Sequence, residues 1–129
     1  MTSMALSELC EASLVGQKDW SGRTGSRGKF PWGTVEGAVL AWSGHSGRKE
    51  ARLVLKRIRF AKDQSWDGSE FGYRLAHVSS SKAPGKLKWR QGWLVSENEL
   101  RELFNQIGAK GWPSLLRSEM DDKSRNLLT

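Results

Sequence analysis

A single cysteine, Cys10, excludes an internal disulfide. Neither it nor His45 and His77 has a neighbour at metal-ligand spacing, so no metal site is expected. No apolar run approaches the roughly 18 residues of a membrane span. The N-terminus lacks a basic segment followed by an apolar one, so neither a membrane helix nor a signal peptide is indicated. An intracellular location, cytoplasmic or nucleoid or nuclear, is the expectation. Catalytic patterns are missing as well: there is no Ser/His/Asp spacing and no phosphate-cradling glycine motif. A metal nuclease needs converging carboxylates, and three of the four acids of the basic middle of the chain, Asp63, Asp67 and Glu70, fall in a turn-rich loop where acids are ordinary turn formers. The expectation is a non-catalytic protein without a cofactor.

The hydrophobic fraction is low at 37%, yet seven Trp and four Phe bury large areas per residue, enough for one core in 129 residues. The net charge of +7 has one source. Residues 1–47 carry four basic and four acidic side chains, and residues 91–129 carry five and six. Residues 48–90 carry twelve Lys and Arg against Glu50, Asp63, Asp67 and Glu70, a local excess of 12 − 4 = +8. Clustered like charges repel, and a polyanion relieves that repulsion while releasing counterions. The competing explanation is a solvated surface that promotes solubility.

Along the chain, residues 4–15 read as a short helix capped by Ser3, or as a frayed terminus. Residues 16–33, rich in Gly, Ser and Arg, read as an arm or linker. Alternating runs then predict strands over 34–42, 51–60 and 70–78. In the second, Leu53 and Leu55 face one side and Ile58 and Phe60 the other, which requires a bulge near Lys56 and Arg57; a helix over 51–60 is the alternative. In the third, Phe71, Tyr73, Leu75 and His77 share one face and Arg74 takes the other.

The clearest signal is at 86–108. Leu87, Trp89, Trp93 and Val95 alternate with Lys86, Lys88 and Arg90, as on a fourth strand with an apolar face. From Ser96 the period becomes helical: Leu100, Leu103, Phe104 and Ile107 form one stripe of a helix over 97–107, with Ser96 and Glu99 as a capping box and Gly108 as the stop. These features predict an α+β fold, a four-stranded antiparallel meander followed by a C-terminal amphipathic helix whose stripe covers one sheet face. The domain is expected over 34–120, after the arm and linker of 1–33 and before a disordered tail over 121–129.

Pro84-Gly85-Lys86 and the run from Arg90 through Gly92, Trp93, Ser96 and Glu97 to Leu100 resemble the C-terminal half of the transcriptional positive-cofactor-four domain, with the similarity spanning residues 84–108. That family has a ββββα unit, shared in architecture with the Whirly proteins. It dimerises and presents basic, aromatic-bearing sheets to single-stranded nucleic acid. The resemblance implies the same order of elements here. The strand before Gly92 is longer than in the family, and the N-terminal extension has no counterpart there.

The function expected is non-catalytic binding of nucleic acid, single-stranded DNA or RNA in preference to duplex, on a basic sheet surface with stacking aromatics. By parity, Arg74, Lys86, Lys88 and Arg90 share the non-core side of adjacent strands, joined across the bulge by Arg57 and Arg59. Trp66, in the loop after the second strand, is the first candidate for stacking, unless it folds back over the hairpin. Tyr73 is a further candidate, whereas Trp89 and Trp93 are expected in the core. A homodimer is expected because one helix covers only one sheet face. The alternative function is a protein-interaction or inhibitor module with a basic surface.

Overall fold

The computed structural model describes residues 5–20, 30–43, 51–82 and 85–112. Residues 21–29 of the expected 16–33 linker, the Ser3 cap and the 121–129 tail lie outside them. The chain divides into two compact units, Met1–Glu97 and Asn98–Thr129. The fold is mixed α+β. A 3-10 turn at Leu6–Glu8 and the one-turn helix α1 (Glu11–Leu14) precede β1 (Lys18–Trp20), β2 (Pro31–Trp42), β3 (Ala51–Phe60), β4 (Phe71–Ser80), β5 (Leu87–Ser96) and α2 (Glu97–Ala109). Among the described residues the sheet is an antiparallel meander in the order β1-β2-β3-β4-β5, five strands where four were expected. The additional strand, β1, lies within the Gly/Ser/Arg-rich stretch read as a linker. Its three residues are too few to display a period.

Alternation divides the sheet into two faces, and cross-strand register assigns them. Val35 pairs with Ile58, Ala38 with Lys56 and Leu40 with Val54, and these residues point inward with Ala76, Val78, Leu87, Trp89 and Leu94. Leu6, Leu9 and Leu14 pack on that face, so the segment before β1 closes the core. It does so as two short turns, not as one helix. The opposite face carries Val39, Leu53, Leu55, Arg57, Arg59, Phe71, Tyr73, Leu75 and His77.

The expected bulge in β3 is absent: its register with β4 is unbroken from Ala51–Ser79 to Arg59–Phe71. Lys56 is the inward residue that makes β3 look like a change of face. Bulges fall instead at Glu36 in β2 and in β5, where both Gly92 and Trp93 stand opposite Leu75. A Cβ on Gly92 would lie 2.6 Å from the Leu75 carbonyl oxygen, an approach that only a residue without a side chain allows.

The β3–β4 loop is held at both ends. Phe60 N–H donates to Glu70 O at 3.0 Å and Ala61 N–H to Trp32 O at 2.8 Å. Asp67 accepts from the Ser96 hydroxyl and, at 3.0 Å, from Ser69 N–H. Those bonds, that from Ser96 foremost, hold the Asp67 carboxyl below its ordinary pKa. Asp67 therefore ties the loop to the end of β5. Helix α2 carries the expected stripe, but none of its residues is buried, and Leu103 and Phe104 are 53% and 44% exposed. No described helix is long and apolar enough to cross a membrane.

Candidate nucleic-acid interface

The described basic residues of 51–90 include some paired or buried within the fold and some left exposed. Arg74 belongs to the first group. It points inward, and its Nε and Nη2 both donate to the Asp19 carboxylate at 2.9 Å, while Nη1 donates to Gly92 O at 2.6 Å. Arg74 and Asp19 are 8% and 6% exposed. Lys56, 6% exposed, lies on the same face with its ammonium 4.7 Å from the centroid of the Trp89 ring. Burial pushes the Lys56 pKa below its ordinary value, Asp19 acts against that shift, and Arg74 adds to it. Parity groups Arg74 with Lys88 and Arg90 on one surface, and the structure overturns that grouping: Arg74 is a core residue.

Arg57 and Arg59 do share the outer face, but in a neutral cluster. Glu36 pairs with Arg57 at 3.6 Å and with Arg59 at 2.8 Å, and Arg59 also binds Glu70. Both guanidinium groups lie over the Phe71 ring, at 3.8 and 4.7 Å from its centroid. Two cations face two carboxylates here, so a phosphate would have to displace existing partners. Exposed pairs of this kind contribute little stability and do yield to stronger ligands. Arg52 lies over Trp42 at 4.2 Å.

Lys82, Lys86, Lys88 and Arg90 remain. All four are exposed, and none of their side chains has an ion-pair, ring or hydrogen-bond partner among the described residues. They lie on the β4–β5 hairpin, which contains no Asp or Glu between Phe71 and Ser96. Lys62, in the β3–β4 loop at the opposite end of β4, is likewise exposed without such a partner. Among the described residues β5 is the last strand of the sheet, and Lys88 and Arg90 lie on it, with Lys86 just before its start. Successive outward positions on a strand are about 6.7 Å apart, so Lys88 and Arg90 form a regular row.

The aromatic candidates are also rearranged. Trp66 is 47% exposed but makes edge-to-face contacts with Trp32 and Phe60, at centroid distances of 5.5 and 5.3 Å, and Phe30 packs on Trp32 in turn. It folds back on the hairpin. The Tyr73 hydroxyl donates to Glu97 Oε1 at 3.3 Å. Trp93, expected in the core, is 79% exposed, because the β5 bulge turns it outward. Gly92 was the available signal: a glycine inside an alternating strand marks a bulge, and a bulge reverses the facing of the residues beyond it.

Comparison with protein-family models, curated proteins and solved structures finds no match to this chain. Among the described residues, no group of three His, Cys, Asp or Glu is placed to hold a metal ion.

Proposed function

We propose that the protein binds nucleic acid without catalysis, single strands in preference to duplex, along the β5 edge. Lys82, Lys86, Lys88 and Arg90 contact phosphates and Trp93 offers a face for base stacking. The observation that carries this reading is the separation of charges within the basic segment: Lys56, Arg57, Arg59 and Arg74 are buried or paired within the fold, and four of the five described cations left exposed and unpaired, Lys82, Lys86, Lys88 and Arg90, gather on an acid-free hairpin beside an exposed tryptophan. Phosphate contacts supply affinity without sequence information, which suits a row of lysines. The order of β2 to β5 and α2 is that of the ββββα domain that residues 84–108 resemble, and it supports the same reading.

The test is a titration of intrinsic Trp fluorescence with a single-stranded oligonucleotide, the matching duplex and heparin at two salt concentrations. Binding that favours the single strand and weakens with salt is expected. Equal affinity for heparin would reduce the interaction to a generic cation effect. Absence of binding to all three near physiological salt would favour a protein-interaction module, for which the exposed Val39, Leu53 and Leu75 on the outer face are the apolar surface. We place the contact of a homodimer on those same side chains. Light scattering is expected to show twice 14.5 kDa at tens of micromolar, and a 14.5 kDa species would refute the dimer.

A further inference from the structure

The inner side of the hairpin carries a groove. It has a volume of about 340 Å3 and is lined by Leu9, Leu14, Gln17, Gly85, Lys86, Leu87 and Trp89. Its size is at the lower end of small-ligand sites, which span about 300–1,000 Å3. That suits one ring system better than a larger molecule. Four of its lining side chains are apolar, and Lys86, also in its lining, is exposed. Two of its parts are already ordered. The Lys56 ammonium holds the Trp89 ring from one face. The Gln17 Nε2 group donates to Ser13 O at 2.8 Å, which leaves Oε1 as the end of that amide able to accept a hydrogen bond.

Resting on the proposed binding of single strands, we infer that this groove takes one unpaired base of the bound strand, laid against Trp89 with its phosphate on Lys86. Lys86 belongs both to the basic row and to the groove lining, so a phosphate there delivers its own base to the groove. The next phosphates then follow Lys88 and Arg90 along the edge, toward Trp93. A duplex has no base to offer, because its bases are stacked and paired. The groove thereby supplies a physical reason for single-strand preference that a row of cations lacks. Gln17 Oε1 meets a donor on the base edge, and every nucleobase has one, so the site selects for an unpaired base and not for a particular sequence.

The experiment measures anisotropy of two labelled strands of equal length, one bearing bases and one abasic throughout, on the full chain. Trp93→Ala is the background, since it removes the other stacking ring. In that background the base-bearing strand is expected to bind about fivefold or more tightly than the abasic strand. Filling the groove with Leu9→Trp should bring the ratio close to one while leaving abasic affinity and its salt dependence unchanged. Gln17→Trp fills the same groove from an exposed position and is the second arm, in case Leu9→Trp fails to fold. If the ratio survives in whichever filled variants fold, the groove takes no base, although the phosphate reading stands. If neither strand binds the parent chain, the reading on which the inference rests fails with it.

Discussion

Asp19→Asn is expected to lower the stability of the sheet by about 3–5 kcal/mol, the cost of leaving a buried ion pair with one partner. For a domain of this size the melting temperature should fall by at least about 12 °C. The fold buries two cations, Arg74 and Lys56, beside one carboxylate, and Asn keeps the shape of Asp19 while removing its charge. Arg74 would keep its bond to Gly92 O and lose its charge-assisted pair. Lys56 would lose the group that opposes the downward shift of its pKa. A lysine whose folded pKa lies below the unfolded value disfavours the fold while protonated. The penalty is fully present below the folded value and fades as pH rises toward the ordinary 10.5. The deficit of Asp19→Asn should therefore shrink between neutral and alkaline pH, and a second substitution, Lys56→Met, should recover part of it at neutral pH. Melting curves at pH 7 and pH 10 test both statements. A variant melting within 2 °C of the parent, about half a kcal/mol, would show that the pair is not buried as described.

The same cluster shows why the sequence revealed the strands but not their sides. Alternation located β2 to β5 and the start of α2 closely, because a period of two interrupted by Gly and Asp is a local property. Choosing the inward face is not local. On β4, Phe71, Tyr73 and Leu75 are larger and more apolar than Gly72, Arg74 and Ala76, yet the latter set faces the core. Two distant features settle it: the leucines before β1 pack on that face, and Asp19, 55 positions before Arg74, supplies the partner that lets a guanidinium be buried. No window around β4 contains either. The basic surface was legible as an excess of charge in 48–90 but not as a location. Glu36, a residue outside the segment, together with Glu70 neutralises Arg57 and Arg59. Lys86, Lys88 and Arg90 survived as candidates because the hairpin that carries them has no acid of its own.

Reversing two charges on that hairpin should have the largest effect on binding. With Lys88→Glu and Arg90→Glu together, two phosphate contacts are lost. At about 0.7 per contact for a single strand, the slope of log K against log salt should fall by about 1.4. At 0.1 M salt that slope alone corresponds to about 25-fold in affinity relative to 1 M, so the double variant should bind at least 25-fold more weakly near physiological salt, and alike for every sequence. Two comparisons separate location from net charge. Lys62→Glu changes an exposed cation at the other end of β4 and should leave the slope nearly unchanged. Arg57→Gln with Arg59→Gln removes two cations already matched by Glu36 and Glu70, and should lower the slope by much less than 1.4. Trp93→Ala should act differently again, reducing single-strand affinity about fivefold or more with little effect on duplex and little change of slope, because stacking releases no counterions. Anisotropy across a salt series distinguishes these cases. An unchanged slope in the Lys88/Arg90 variant would remove the β5 edge as the interface, and equal losses in all three charge variants would mean that net charge, and not the hairpin, attracts the polyanion.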